Sequence, residues 1–563
     1  MERKKNVVLI VMDQEKRWTN LPVEFPFSKE LPYRNKLLKE SVFYNRMTCN
    51  TNPCTPSRGV LYTSQHINQT GCFANFIDLP VDEKNTPTLG HMMRHAGYYC
   101  CYKGKWHLGD GVNDLNARKS FDKDGRPNIK FGPPGGALNQ SDEIDYNLET
   151  QDNMEIYGFS DWQAFGDKWG MGLEGFKYDS IYADSAKKWL ETKGKELNQK
   201  NKPFFMAVNF INPHDIMFFL ASAAQQKSKV DFENNFPGPF PAASFKFAPQ
   251  TKMYEKEFNI LPKTLHSHED GQELPAPMAF YKRLYDRTFG LMTTDEEYMT
   301  NLDYYLNCMR DSDRHLGTVL NALEMNGMME NTVILLTSDH GEMAGEHSLR
   351  QKGQCIYKEN IGIPFLIRFP SEVERKNITS NTLISSIDVV PTILAIAGVQ
   401  NIKQKYPMIK GESILNDALG MGDVDDDKLP REVLFQYALS NQPKKDTPGR
   451  RPFCQAIITE QYKFARYFSG VSGYKFGYNS FEELISMNDL VLFDVLNDPD
   501  ELHNLAQTKE LMFQNKNLIE NLNRRLDRLI LKEAKRKEDV LMPWSMINEP
   551  VGEGFDNIKS SKL

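Results

Sequence analysis

The sequence predicts an α/β fold whose main sheet is mostly parallel and carries helices on both faces. Three short, continuously apolar segments support this prediction: Val7–Met12, Phe204–Phe210 and Val333–Thr337. Continuous rather than alternating apolarity is typical of strands that are covered on both sides, as in a parallel sheet. Helical periodicity runs through Tyr182–Thr192 and Tyr304–Met325, so strands alternate with helices as they do in an α/β domain.

A smaller α+β domain is predicted after the main one. The chain's 563 residues exceed what a single core normally organises, and the acidic, glycine-containing segment 420–427 indicates a linker. We therefore expect a main domain over residues 1–420, a small domain over 428–538 and an irregular tail over 539–563. The elements predicted for the small domain are three strands and one long amphipathic helix, Val433–Ala438, Cys454–Thr459, Leu490–Val495 and Lys509–Lys535. Within the main domain, the aperiodic stretch 216–277 is expected to be an insertion that shapes access to a site.

The composition excludes several classes of protein and partner. Hydrophobic residues make up 40% of the chain, aromatic residues 11% and charged residues 25%, which argues against a collagen, a coiled coil or a disordered chain. The net charge of -7 offers no general attraction to nucleic acid or to an anionic membrane. We expect neither as a partner, so an anionic substrate has to be bound by local groups. A homo-oligomer is left open.

The protein is expected in the cytoplasm. No apolar run approaches the roughly 20 residues that a transmembrane helix needs. The apolar run near the first residue is too short for a signal peptide and lacks a cleavage site. The eight cysteines form neither a Cys-x-x-Cys pair nor a dense framework, which suits reduced thiols.

Polar residues follow each of the three predicted strands. Asp13 ends the first, His214 follows the second in Asn212-Pro213-His214, and Asp339-His340-Gly341-Glu342 ends the third. Ligands of open α/β sheets bind beyond the carboxyl ends of the strands. These residues are therefore expected to form one site, although they are distant in sequence.

The segment Cys54-Thr-Pro-Ser-Arg58 is the strongest indication of a functional site in the sequence. Thr55 is suited to cap a helix that starts at Pro56, which would place Cys54 beside the positive end of that helix. A single cysteine without further context is more often a small buried hydrophobe. A second block, Gly104-Lys105-Trp106-His107-Leu108-Gly109, adds a lysine and a histidine.

These two blocks resemble the two signatures of the sulfatase family, the formylglycine-dependent type I sulfatases of the alkaline-phosphatase-like superfamily. Further blocks, the last at Asp498–Ala506, extend the resemblance over nearly the whole chain. It implies an alkaline-phosphatase-like fold and a sulfuric ester hydrolase, which releases an alcohol and inorganic sulfate from a sulfate monoester. It also implies that a formylglycine-generating enzyme oxidises Cys54 to Cα-formylglycine, whose hydrate is the nucleophile.

The resemblance further implies a metal site made by Asp13, Gln14, Cys54, Asp339 and His340. Gln14 stands where a second Asp is often found, and His340 stands where many members have Asn. Oxygen ligands favour Ca²⁺, and the imidazole makes Mn²⁺ or another divalent metal the alternative. This combination occurs in choline-sulfatase-like enzymes and in phosphonate monoester hydrolases.

Six more residues take catalytic or substrate-binding roles by the same resemblance: Arg58, Asn75, Lys105, His107, His214 and Lys352. Lys105 and Lys352 would hold the sulfuryl oxygens, as would Asn75, which matches an anion-contacting residue. His214, with Lys352, would donate a proton to the leaving oxygen. His107 would take the proton whose loss expels sulfate. Arg58 would orient the hydrate.

Two other functions stay open at this stage. One is hydrolysis of phosphonate monoesters or phosphodiesters by the same superfamily, and Lys105 and His107 favour the sulfatase because that group lacks them at this position. The other is a noncatalytic ester-binding protein, in which Cys54 is never converted. The alcohol of the ester is also open, with choline-like, sugar and aryl esters as candidates.

Overall fold

A computed structural model describes residues 4–75, 77–108, 152–163, 167–168, 170–235, 240–268, 273–421, 431–438, 446–469 and 475–534. The predicted linker beyond residue 421, the predicted tail 539–563 and Gly109 of the second block lie outside the described residues. Among the described residues, no helix combines the length and the apolarity that a membrane span requires.

The main sheet of the described residues has eight strands in the order β4-β3-β5-β1-β6-β7-β2-β8. Their bounds are β1 Asn6–Asp13, β2 Val42–Thr48, β3 Tyr99–Gly104, β4 Ser160–Gln163, β5 Phe204–Pro213, β6 Thr332–Ser338, β7 Phe365–Arg368 and β8 Ile378–Ser385. Only β7 runs antiparallel to its neighbours, β6 and β2. The mainly parallel α/β fold is therefore confirmed, and the three predicted strands are β1, β5 and β6.

Helices pack on this sheet and connect its strands. The α-helices described before residue 421 are Phe27–Glu30, Pro32–Lys39, Cys54–Thr63, Ile67–Thr70, Leu89–His95, Glu174–Trp189, Lys195–Gln199, Ala223–Asn235, Ala276–Phe289, Asp295–Met325, Lys358–Ile361, Val389–Ile396, Ile402–Lys405 and Leu415–Ala418. Both predicted helices exist but begin earlier in the chain than the periodicity indicated. The longest starts at Asp295 because Thr294 and Glu297 form a reciprocal capping box there.

One local expectation in the main domain is wrong. The helix that carries the cysteine motif starts at Cys54 rather than Pro56, with Pro53 as its N-cap residue, so Thr55 lies inside the helix and caps nothing. The stretch 216–277 contains the helix Ala223–Asn235, and its role as an insertion that shapes access to a site stays a prediction. All eight cysteines are described, buried and free of disulfides.

The smaller C-terminal domain has an antiparallel sheet in the order β12-β11-β10-β9. Its elements are β9 Val433–Tyr437, β10 Phe453–Ile458, β11 Tyr462–Phe468 and β12 Asp489–Asp494, with helices Phe481–Met487, Lys509–Gln514 and Lys516–Glu533. The predicted helix Lys509–Lys535 is thus interrupted at Asn515, and its last residue lies outside the described part of the chain. The strand β11 was not expected from the sequence. The α+β character of the domain is confirmed.

Candidate active site

The carboxyl ends of three neighbouring strands bring the predicted site residues together. Strand β1 lies between β5 and β6 and ends at Asp13, while His214 follows β5 and Asp339 follows β6. Strand β1 is buried along its whole length, so its first charged side chain appears where the strand reaches the edge of the sheet. Ligand sites of α/β sheets form at this edge.

Cys54 approaches the same edge from the first turn of its helix, Cys54–Thr63. Its Sγ lies 3.0 Å from Nε2 of His340 and 3.7 Å from Oδ1 of Asp13. The positive end of the helix dipole favours an anion at this position. Burial, and secondarily the negative charge of Asp13, raises the pKa of the Cys54 thiol to about 12. An unmodified Cys54 is therefore a thiol rather than a thiolate, and a poor nucleophile.

Four buried side chains offer ligand atoms that all lie within 4.8 Å of one another: Asp13, Cys54, Asp339 and His340. Arg58 binds one oxygen of each carboxylate, Oδ2 of Asp13 at 2.9 Å and Oδ2 of Asp339 at 3.0 Å. Oδ1 of Asp339 also accepts the backbone N–H groups of Gln14 and His340. Nδ1 of His340 lies 3.0 Å from the carbonyl of Gly341, so the imidazole donates there and keeps its lone pair on Nε2. These side chains fit a divalent cation.

Lysines supply positive charge beside these carboxylates. Nζ of Lys105 lies 2.7 Å from Oδ2 of Asp13, and both side chains are fully buried. Burial by itself would raise the pKa of Asp13, but Lys105 and the neighbouring imidazole and guanidinium groups hold it well below its usual range. The carboxylate is therefore ionised, as a metal ligand has to be.

His214 and Lys352 form a second group beside the cluster. Nζ of Lys352 lies 2.9 Å from Nε2 of His214 and 3.2 Å from Sδ of Met217, and it donates to Oε1 of Gln14. Burial and the charge of Lys352 lower the pKa of His214 well below its usual value, so its Nε2 accepts from the ammonium. Gly170 leaves room for this imidazole, because a Cβ at that position would lie 2.3 Å from Nδ1.

His107 is held by a carboxylate that sequence reasoning missed. Its backbone N–H donates to Oδ2 of Asp167 at 2.7 Å, and the N–H of Trp106 donates to Oδ1 at 2.9 Å. His107 has a φ of 50°, so these bonds stabilise a backbone conformation that is uncommon for a residue with a side chain. Burial and the charge of Lys105 lower the pKa of His107 well below its usual value. The imidazole of His107 is therefore neutral.

The model of the sulfatase family matches residues 5–399, which is most of the chain. The chain belongs to the sulfatase family. A second family model, described as the C-terminal part of N-sulphoglucosamine sulphohydrolase, matches residues 345–532. As a family member, the chain is a sulfuric ester hydrolase, which confirms the predicted enzyme class.

Relatives of this sulfatase extend over nearly its whole length. A relative from Formosa agariphila, an ulvan-active sulfatase, is 25% identical over 530 residues, which are 93% of this chain and 82% of that protein. A structure solved with its substrate D-glucosamine-2-N,6-O-disulfate has a TM-score of 0.55 at 18% identity and covers 95% of this chain and 100% of its own. The phosphonate monoester hydrolase of Silicibacter pomeroyi has a TM-score of 0.59 at 19% identity, with 94% and 96% covered. These two structures share the fold.

The sulfatase brings most of the predicted residues to one place, but two of them have unexpected partners. Oδ1 of Asn75 accepts the backbone N–H of Thr55 at 3.0 Å, so Asn75 satisfies the first turn of the Cys54 helix. The side chain of Gln14 binds Lys352 on one side and Glu342 on the other.

Sequence reasoning missed two buried supporting residues, Asp167 and Asn209, and it placed Glu342 at the site without giving it a role of its own. Asn209 accepts from Arg58 at 3.2 Å and from the hydroxyl of Tyr62 at 2.9 Å. Asn209 could have been found from the sequence, because a polar amide stands there between apolar residues of the buried strand β5. Glu342 stands in the block that follows β6, whereas nothing in the sequence distinguishes Asp167 from other aspartates.

Proposed function

We propose that this sulfatase hydrolyses a sulfate monoester of a carbohydrate, with formylglycine derived from Cys54 and a bound divalent cation. The observation that carries the proposal is the position of Cys54, whose Sγ lies among the ligand atoms of Asp13, Asp339 and His340. An oxygen in place of that sulfur would add a hard ligand to the carboxylate oxygens around the cation. The ulvan-active and disulfate-binding relatives support a sugar as the alcohol.

Asp13, Asp339 and His340 would hold the cation, together with Oε1 of Gln14. A bound divalent cation would polarise a sulfuryl oxygen and lower the pKa of the nucleophilic hydroxyl. The carboxylate and amide oxygens suit Ca²⁺, whereas the imidazole of His340 favours Mn²⁺. Binding both metals to the stripped protein therefore decides which one the site prefers.

The remaining side chains would have separate roles in the hydrolysis of the ester. Lys105 and Lys352 are buried ammonium groups and would bind the sulfuryl oxygens, which keep a negative charge throughout the reaction. Lys352 already donates to His214, so this pair holds a proton where the alcohol would leave. The hydrate of formylglycine supplies two hydroxyl groups, one to attack sulfur and one whose deprotonation releases sulfate. His107 would accept that last proton, and Arg58 would keep both carboxylates in place.

Two rival functions remain distinct from this proposal. The likeness to a phosphonate monoester hydrolase and the Asp-Gln and Asp-His pairs favour phosphonate or phosphodiester chemistry as the second candidate. Lys105 contacts Asp13 inside the site and supports the sulfatase instead. In the third candidate, a noncatalytic ester-binding protein, Cys54 would stay a thiol.

Peptide mass spectrometry and an ester panel test the proposal together. We expect active protein produced with a formylglycine-generating enzyme to carry the aldehyde at Cys54, and to prefer sugar sulfates over choline sulfate, aryl sulfates and phosphodiesters. Cys54→Ala should be inactive. Cys100→Ala, which changes a buried cysteine of β3, should keep activity and serves as the control. Full activity with only an intact thiol at Cys54, or preference for phosphodiesters, would contradict the proposal.

A further inference from the structure

Glu342 is a buried carboxylate without a cation beside it. Its Oε1 accepts the backbone N–H groups of Ala344 and Gln351, each at 2.8 Å, and its Oε2 accepts the side-chain amide of Gln14. All three of these donors are uncharged. An ionised carboxylate offers only acceptors, so every group around it has to donate.

Gln14 lies between this carboxylate and the ammonium of Lys352. Its Nε2 donates to Glu342 and, at 3.3 Å, to Oε1 of Gln351, while its Oε1 accepts from Nζ of Lys352. Both N–H bonds of the amide are thus used on one side. Because Lys352 can only donate and Glu342 can only accept, the amide has a single orientation that satisfies both neighbours. The backbone N–H of Gln14 also donates to Oδ1 of Asp339 at 3.1 Å, which ties the residue to the metal-ligand cluster.

We propose that Glu342 is a positioning residue that fixes the amide of Gln14 with its oxygen towards Lys352 and the metal site. The inference rests on the proposed function, because it assigns the Gln14 oxygen as a donor to that cation. It also gives a physical reason for glutamine at position 14. A carboxylate there would face the carboxylate of Glu342, whereas an amide presents a donor to Glu342 and an acceptor to Lys352.

The isosteric change Glu342→Gln should reverse this orientation. The side-chain oxygen has to stay with the N–H groups of Ala344 and Gln351, so the new NH₂ group faces Gln14. The Gln14 amide then turns to accept from it and directs its own NH₂ group at Lys352 and the cation, where both would be repelled. Supporting residues of metal sites typically contribute about 10–100-fold to metal affinity or activity, and we expect a loss of that size in Mn²⁺ affinity.

The test is a double-mutant cycle on the metal-stripped full-length protein, with Mn²⁺ affinity read by isothermal titration calorimetry. Gln14→Glu places an acceptor opposite the amide of the Glu342→Gln variant, and both of its oxygens suit the cation. We expect Gln14→Glu to tighten Mn²⁺ binding at least about tenfold more in the Glu342→Gln background than in the wild type. Equal effects of Gln14→Glu in the two backgrounds, or wild-type affinity in Glu342→Gln, would overturn the assignment.

Glu346→Gln is the matched control. Glu346 is a buried carboxylate of the same loop, but it accepts from Lys263 and Thr264 and does not contact Gln14. We expect it to leave Mn²⁺ affinity within about threefold of the wild type, since its loss has only structural effects. An equal loss in Glu346→Gln and Glu342→Gln would show general loosening of the loop and overturn the assignment.

A second readout needs neither metal nor activity. A metal-free crystal structure of Glu342→Gln should show Nζ of Lys352 beyond hydrogen-bond distance from the side chain of Gln14. An unchanged contact between them would overturn the assignment. Because this result does not depend on metal binding or ester hydrolysis, a failure of the proposed function would be recognised separately, as absent metal binding in the wild type.

Discussion

The carboxyl edge of the main sheet and the long helix of the small C-terminal domain bury different kinds of side chain. At the sheet edge Asp13, Arg58, Lys105 and Asp339 are fully buried charges. In the C-terminal domain the helix Lys516–Glu533 instead contributes an apolar stripe to the core, namely Ile519, Leu522, Leu526, Leu529 and Ile530. Buried ions cost solvation free energy and persist only where partners compensate them. The charged groups of the first region are therefore suited to binding an ion or a substrate, whereas the apolar side chains of the second stabilise the fold.

The two regions meet at the loop that carries Lys352. The hydroxyl of Tyr467 donates to the carbonyl of Gln354 at 2.8 Å, and Nζ of Lys463 donates to the carbonyl of Ile356 at 3.0 Å. Both donors belong to β11. The C-terminal domain thus supports the position of the loop of Lys352 through side-chain contacts with its backbone, without supplying any of the predicted catalytic groups.

The largest effect on activity is expected from Asp13→Ala and Asp339→Ala. Each removes a carboxylate from beside Arg58, so unbalanced positive charge would repel the cation. We expect at least about 10³-fold lower activity together with loss of bound metal, measured by metal analysis and kinetics. Asp313→Ala is the control, since this buried carboxylate pairs with Arg34 outside the site and its loss should lower stability only. Retained metal and activity in Asp339→Ala would contradict the assignment.

His107→Ala should stop the enzyme after its first turnover. The alcohol leaves before the step in which His107 accepts a proton, so we expect a burst of roughly one alcohol per active site and almost no steady-state turnover. Rapid-quench kinetics measures both phases. His95→Ala, which changes an exposed histidine at the end of a helix, should turn over like the wild type. Normal steady-state turnover by His107→Ala would refute the role of the imidazole.

Asp167→Asn should lower kcat/KM about tenfold, because an amide can accept only one of the two N–H bonds from Trp106 and His107. Burial raises the pKa of Asp167 to about 6, although the two N–H bonds oppose this shift. We expect the wild-type kcat/KM to fall as the pH drops below about 6, and Asp167→Asn to lack this limb. Asp161→Asn is the control, because Asp161 binds Tyr99 and Trp189 instead. If kcat/KM of Asp167→Asn fell below about pH 6 as in the wild type, Asp167 would be excluded as the group that titrates.

The raised pKa of Asp167 should also make the free energy of unfolding depend on pH, in the direction opposite to that of kcat/KM. Its folded-state pKa is above the value of about 3.9 in an unfolded chain, so between these values only the folded protein binds the proton. The free energy of unfolding should therefore fall by roughly 3 kcal/mol as the pH rises from about 4 to about 6, and stay constant above. Chemical denaturation at several pH values should show a smaller fall in Asp167→Asn.

The smallest effect on chemistry is expected from the core of the C-terminal domain. Leu526→Ala removes a fully buried side chain and should lower the free energy of unfolding by about 2–5 kcal/mol, measured by chemical denaturation. Metal affinity and kcat/KM should stay within about twofold, because no charge of the site changes. Leu531→Ala, at a 43% exposed position of the same helix, should change neither stability nor activity appreciably. Loss of metal in Leu526→Ala would show that the metal site depends on the core of the C-terminal domain.

The sequence alone was sufficient for the features that depend on local pattern. The apolar runs of β1, β5 and β6 are continuous because both faces of these strands are covered, so the strands could be recognised and the polar residues after them assigned to one edge. Motif spacing was equally local, since the signature residues Cys54 and Arg58 lie on one helix. The start of that helix could not be placed, because its N-terminus is stabilised by Asn75 and not by the neighbouring threonine.

Only the tertiary structure decided which partners the buried polar groups have. Gln14 and Glu342 are 328 positions apart, and Arg58 and Asn209 are 151 positions apart, yet each pair is hydrogen-bonded. Which atom of an amide faces a cation depends on every donor and acceptor that the fold places around it, and no local pattern records that arrangement. The sequence therefore determined which chemical groups the protein can use, whereas the packing of distant segments determined their orientation and charge.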